Sequence, residues 1–125
     1  MPAPRVLLAD DDSSIHHYVR KALLKEKLQL DHASNGREAL EMISVDPYDC
    51  VITDLVMPLK DGLNLVQLLR THSYRMPILV LSAYLTDEIR KKLTALENVT
   101  MLSKPLRPDE LAATIRKLLP PPTSS

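Results

Sequence analysis

Four short stretches of the chain carry the side chains that could do chemistry. Asp10, Asp11 and Asp12 stand in a row behind Val6-Leu7-Leu8-Ala9, and Asp54 closes the run Cys50-Val51-Ile52-Thr53. Ser82 closes Ile78-Leu79-Val80-Leu81, and Lys104-Pro105 follows Val99 to Ser103. Gathered carboxylates repel, at a cost of roughly 4 kcal/mol for a pair about 4 Å apart at an effective dielectric near 20. A fold that brings them together therefore needs a cation or a proton. Hard oxygen ligands with room for water suit Mg²⁺ better than Zn²⁺, and no His or Cys stands at the C-terminal ends of these four runs. A metal held by one or two carboxylates, its other positions left to water and phosphate, is the usual Mg²⁺ arrangement for phosphoryl transfer.

Whether these residues meet depends on the elements that carry them. Val6 to Ala9, Cys50 to Thr53 and Ile78 to Leu81 are too short for helices and too continuously apolar for strands with one wet face. They suit strands buried on both faces, as in a parallel sheet under helices. Leu28 to Ala33 and Val99 to Ser103 are weaker strand candidates. Helical stripes lie between. Ile15, Val19, Ala22 and Leu23 follow Ser13 or Ser14 as cap; Ala39, Leu40 and Ile43 follow Asn35-Gly36; Leu65, Leu68 and Leu69 follow Asp61-Gly62. Ile89, Leu93 and Leu96 follow Thr86 as cap, and Leu111, Ile115, Leu118 and Leu119 follow Pro108, which suits a first helical position.

Five β-α units imply an α/β, doubly wound (βα)5 fold with a five-stranded parallel sheet, and right-handed crossovers leave few arrangements. The flavodoxin-like order 2-1-3-4-5 is favoured, with strands about 4.8 Å apart. In that order the ends of strands 1, 3, 4 and 5 are neighbours. Asp10, Asp11 and Asp54 then converge at the switch point, with Ser82 and Lys104 beyond Asp54. Taken singly, each piece has a plainer reading as helix cap, turn residue or common dipeptide. Four of them at four adjacent strand ends do not.

The remaining composition bounds the function. A length of 125 residues fits one domain, 1–119, with the Pro-rich tail 120–125 as linker or free end. The core is aliphatic, since there is no Phe or Trp and only four Tyr. Sixteen basic and sixteen acidic residues cancel, so no global field draws nucleic acid or an anionic membrane. Cys50, the sole cysteine, reads as a small buried hydrophobe. No apolar run approaches a membrane span of about 18 residues, and the start lacks a signal-peptide core, so a cytoplasmic location is expected. His16 and His17 fall on the solvent side of the first helical stripe; His32 and His72 carry no signal.

The stretches VLLADDD, NGREAL, YDCVITDLVMPLKDG, PILVLSA and SKP resemble, in order and spacing, the motifs of CheY-like receiver domains of two-component response regulators. The resemblance covers residues 5 to 119. It implies that Asp54 is the phosphoacceptor and that Asp11, Asp54 and the backbone carbonyl of Val56 ligate Mg²⁺, with Asp10 acting mainly through bound water. It also implies that Ser82 and Lys104 each contact a phosphoryl oxygen and that the Lys104–Pro105 peptide is cis. The implied donor is a sensor histidine kinase or histidine phosphotransfer protein. The implied reader is a downstream protein or output domain using the face of helix 4, strand 5 and helix 5, near Arg90, Lys91 and Lys92. The domain would catalyse only its own phosphorylation and slow dephosphorylation, and so would not be an enzyme in the ordinary sense.

Two positions depart from that pattern. The family's aromatic switch residue three before the lysine is here Met101, a flexible thioether without a hydroxyl handle; Tyr84, two after Ser82, is the aromatic candidate for the role. Val56, two after Asp54, is apolar where a polar side chain could position attacking water, so slow self-dephosphorylation is expected. An Asp-nucleophile phosphatase of the haloacid-dehalogenase type is disfavoured, because its second Asp would stand at Val56. The triple Asp disfavours a flavodoxin, and no G-x-x-x-x-G-K motif indicates a nucleotidase. A pseudo-receiver that binds protein without taking phosphate, and a receiver belonging to a longer hybrid kinase or transcription factor, remain as alternatives.

Overall fold

The computed structural model describes residues 3–55, 61–83 and 85–119. The expectations placed on Val56, Tyr84 and the tail 120–125 lie outside the described residues. Ten elements alternate: β1 (Arg5–Ala9), α1 (Ser13–Ala22), β2 (Gln29–Ala33), α2 (Gly36–Val45), β3 (Cys50–Asp54), α3 (Asp61–Thr71), β4 (Ile78–Ser82), α4 (Asp87–Thr94), β5 (Val99–Ser103) and α5 (Pro108–Leu118). All four strand pairings are parallel, and the sheet order is β2-β1-β3-β4-β5. The flavodoxin-like doubly wound arrangement expected from the sequence is the one found.

The continuous apolar runs follow from burial on both faces. Successive strand side chains point to opposite sides, and here each side meets helices. Leu7, Ala9, Val51, Ile78 and Val80 pack with Ala39 and Ile43 of α2, Leu65, Val66 and Leu69 of α3, and Leu93 of α4. Val6, Leu8, Cys50, Ile52, Leu79 and Leu81 pack with Val19 and Leu23 at α1 and with Leu111, Ala112 and Ile115 of α5. Cys50 is fully buried in this second layer, and burial pushes its thiol up to about 12, so it serves as a hydrophobe. Among the described residues, no helix is long and apolar enough to cross a membrane.

The helix starts follow from local chemistry. Asn35 accepts from the Glu38 N–H at 2.8 Å, and Thr86 accepts from the Ile89 N–H at 3.2 Å. Pro108 opens α5. At α1 the expectation of a serine cap needs correction. Asp12 is the cap, accepting from the Ser14 N–H at 2.8 Å, because its carboxylate also gains from the positive end of the helix. The expected α3 stripe also needs correction. Leu65 and Leu69 are buried, but Leu68 is 39% exposed, and Val66 takes its place in the core. At about 100° per residue, Leu68 falls on the far side of Leu65 from Val66, at the edge of the face.

At the rim opposite the strand C-termini, arginines fasten the loops. Arg5 pairs with Asp31 at 3.0 Å and Asp46 at 3.3 Å and lies over the Tyr48 ring. Arg70 donates to the carbonyls of Tyr74, Met76 and Glu97 at 2.7–2.8 Å, tying the end of α3 to the segments that lead into β4 and β5. The revised α3 face makes a direct prediction. Leu69→Ala should cost about 2–5 kcal/mol of unfolding free energy in a urea titration. Leu68→Ala should stay within about 1 kcal/mol. Equal losses would mean the stripe read from the sequence, and not the packed face, is correct.

Candidate functional site

Among the described residues, the buried polar or charged side chains are Asp10, Thr53, Asp54 and Ser82, and all four lie at the C-terminal rim of the sheet. Buried polar groups are costly unless they have partners, so their confinement to one rim marks that rim as the candidate site. Strand register gathers them. Ala9 pairs with Thr53, which sets Asp10 beside Asp54; Asp54 pairs with Leu81, one residue before Ser82; and Ser82 pairs with Ser103, one residue before Lys104.

Main-chain hydrogen bonds carry the sheet pattern past the strand ends and fix the side chains. The Asp10 N–H donates to the Ala33 carbonyl at 3.0 Å, the Leu55 N–H to Leu81 at 3.1 Å, and the Lys104 N–H to Ser82 at 2.9 Å. Lys104 then reaches across β4, and its Nζ donates to Asp54 Oδ2 at 2.5 Å. Asp54 is 5% exposed, so this ion pair is only partly screened by water. The Lys104–Pro105 peptide is cis, as the sequence motif implied. Thr53 donates from Oγ1 to the Asp54 carbonyl at 3.1 Å, a contact the sequence reading did not foresee.

Asp10 is fully buried. One carboxylate oxygen, Oδ1, accepts from the Asp12 N–H at 2.7 Å, while Oδ2 is buried with no hydrogen-bond partner. Burial pushes its carboxyl up to about 6; the Asp12 N–H and Lys104 oppose that rise, and the charges of Asp54 and Asp11 add to it. Asp10 therefore sits within the fields of Asp54, Lys104 and Asp11. Asp11 is exposed at the mouth of this group. Among the described residues, no three acidic, imidazole or thiol groups converge into a ready-made cage. The donors present instead match a cation bound by few carboxylates that keeps water on its other positions, and an unpartnered buried carboxylate oxygen is what such a hydrated ion would satisfy.

Two other expectations change. His16 is half-buried rather than on the solvent side, with its ring centroid 4.2 Å from that of His32 and its Nδ1 buried without a partner. His32, which the sequence left without a role, places Nε2 at 2.8 Å from the Asp10 carbonyl oxygen. A carbonyl only accepts, so this ring nitrogen carries the proton. The β2 strand thus holds both main-chain groups of Asp10. The pairing of His32 with Leu8 across β1 and β2 turns it toward the α1 face, a register no local sequence signal supplies. Met101 is half-buried and packs on the layer beneath α2, α3 and α4.

Comparison with known proteins agrees with this fold. Residues 6–116 match the model of the response regulator receiver domain, and the chain belongs to that family. It is 36% identical over 117 residues to response regulator MprA of Mycolicibacterium vanbaalenii, covering 92% of this chain and 50% of that protein. It is 34% identical to the transcriptional regulatory protein PcoR of Escherichia coli, covering 92% of this chain and 51% of that one. The chain thus spans about half the length of these relatives. Among solved structures it resembles chemotaxis protein CheY4 of Vibrio cholerae, with a TM-score of 0.85 and 31% identity, covering 94% of this chain and 99% of that one.

The raised Asp10 carboxyl has a consequence for stability. Its folded value of about 6 lies above the ordinary aspartate value that it takes when unfolded. The folded state therefore binds more protons between those values, and this group's contribution falls as pH rises through that window. Asp10→Asn removes the buried charge. In metal-free buffer it should raise unfolding free energy at neutral pH by on the order of 1–2 kcal/mol, with the gain shrinking as the pH approaches 4. Urea titrations of both proteins across that range check this; a variant less stable at neutral pH would contradict it.

Proposed function

We propose that this receiver domain is a Mg²⁺-dependent switch that accepts a phosphoryl group on Asp54. The observation that carries the reading is the Asp54–Lys104 contact inside a rim of buried acids. Asp11, Asp54 and the main-chain carbonyl of Val56 would hold the ion, and Asp10 would act on its water. Bound there, Mg²⁺ supplies positive charge against the phosphoryl oxygens. Phosphoryl transfer needs chiefly positioning and charge neutralisation. An Asp54 carboxylate oxygen attacks phosphorus in line, the bond from phosphorus to the donor breaks, and the donor leaves with the electron pair. Lys104 moves its ammonium from the carboxylate to a phosphoryl oxygen, and Ser82 donates a hydrogen bond to another.

The aspartyl phosphate brings new charge and strong acceptor oxygens to the rim. Drawing Ser82 toward them biases two pre-existing states of the segment after β4, a coupling typically of about 1–3 kcal/mol. Met101 packs as core and offers no hydroxyl, so the aromatic element of the switch falls to Tyr84. The phosphoryl donor is a histidine kinase or histidine phosphotransfer protein. The reader, a partner or output domain, engages α4, β5 and α5, where Arg90, Lys91 and Lys92 are exposed. The relatives' names, a response regulator and a transcriptional regulatory protein, fit such an output. Residues 1–119 form the switch and 120–125 a Pro-rich tail or linker, working in the cytoplasm without contacting nucleic acid or membrane themselves.

Incubation with Mg²⁺ and acetyl phosphate, followed by intact mass, tests this reading. Wild type should gain one phosphoryl group, and Asp54→Ala or chelation of the metal should abolish the gain. No gain in wild type, or an equal gain in Asp54→Ala, would leave a protein-binding pseudo-receiver as the better account. After donor removal the phosphoryl group should persist longer on wild type than on Val56→Asn.

A further inference from the structure

The acids and the lysine of the site arrive from distant parts of the chain, and one side chain outside the site links them. α1 starts directly after Asp10 and Asp11, with Asp12 as its cap. Lys104 stands in the loop between β5 and α5. β1 and β5 are not neighbours in the sheet, being separated by β3 and β4. α1 and α5, however, cover the same face and share one packed layer. Within that seam the half-buried Tyr18 of α1 donates its hydroxyl to the carbonyl of Leu106, two residues beyond Lys104.

We propose that Tyr18 is a latch that sets the position of Lys104 against the acids, and so is a positioning residue for the phosphoryl transfer on which this proposal rests. Lys104 has one main-chain anchor before it, its own N–H on the Ser82 carbonyl at 2.9 Å. The Tyr18 bond supplies a second anchor after the Lys104–Pro105 peptide, while the Leu106 side chain packs into the layer shared by α1 and α5. With both ends held, the long lysine stem leaves from a fixed base, and its ammonium meets Asp54 Oδ2 at 2.5 Å. A flexible stem on a loose base would spread the ammonium over many positions and lose orientation in the transition state. The hydroxyl also ties α1, the helix that begins just after the acids, to the loop that carries the lysine. A displacement of α1 by a docking partner would therefore move the ammonium.

The plainer alternative is that Tyr18 only staples α1 to α5. A control exists in the same seam: Arg116 of α5 pairs with Glu26, just beyond α1, at 2.9 Å, both residues lying outside the 104–107 loop. Tyr18→Phe keeps the half-buried ring and removes only the donor. In the full chain, with Mg²⁺ and acetyl phosphate, Tyr18→Phe should slow phosphorylation of Asp54 by about 3- to 10-fold, the range one hydrogen bond of ordinary net worth supports. Glu26→Gln should leave the rate unchanged, and Mg²⁺ affinity should be the same in all three proteins. In a Lys104→Ala background the Tyr18 substitution should have no further effect. NMR of the lysine ammonium groups should show the Lys104 signal displaced in Tyr18→Phe and not in Glu26→Gln. An unchanged rate in Tyr18→Phe, equal slowing with or without Lys104, or an unmoved Lys104 signal overturns the latch while leaving the switch in place. A wild type that takes no phosphoryl group overturns both.

Discussion

Buried like charge is the constraint around which this molecule is organised. Asp10 and Asp54 stand side by side at the end of two paired strands, both removed from water, with Asp11 at the mouth. Such crowding costs a few kcal/mol where the dielectric is low. The fold answers it in part. Lys104 lies against Asp54, the Asp12 N–H serves one oxygen of Asp10, and burial holds the Asp10 carboxyl protonated well above the ordinary range. The other Asp10 oxygen is left without a partner. That oxygen is the acceptor which the water of the proposed cation would satisfy.

The rest of the structure makes that rim possible. A parallel sheet aims every strand C-terminus the same way, and two apolar layers, one on each face, keep the strands in register. Because register alone sets Asp10 against Asp54 and Lys104 next to Ser82, a slip between strands would scatter the site. The opposite rim is held by arginines: Arg5 against Asp31 and Asp46, and Arg70 against the carbonyls leading into β4 and β5. The arginines thus tie the loops at one rim, while at the other a carboxylate oxygen of Asp10 stays buried without a partner.

Much of this was legible in the sequence because the central strands are buried on both faces. Val6 to Ala9, Cys50 to Thr53 and Ile78 to Leu81 announce themselves as unbroken apolar runs, and the chemical residues follow them directly. The edge strands were harder to read. β2 has one neighbour and contains Gln29, Asp31 and His32; β5 is only half-buried along most of its length. Contacts made through main-chain atoms across long sequence distances left no local trace. The His32 ring on the Asp10 carbonyl, the Arg70 clamp and the Tyr18 hydroxyl on Leu106 all belong to that class. Local periodicity also misjudged Leu68, because a helix on a twisted sheet buries an arc that three leucines alone do not define.

The proposed switch requires the acids at the rim to hold a divalent ion. The most direct test is the urea midpoint of the metal-free protein, followed by circular dichroism as Mg²⁺ is added. Binding to the folded state alone must raise the midpoint in proportion to the logarithm of the ion concentration once the site is saturated. Wild type should show that rise, and Asp11→Asn should lose it. A midpoint indifferent to Mg²⁺, or one that rises equally in the variant, would contradict it.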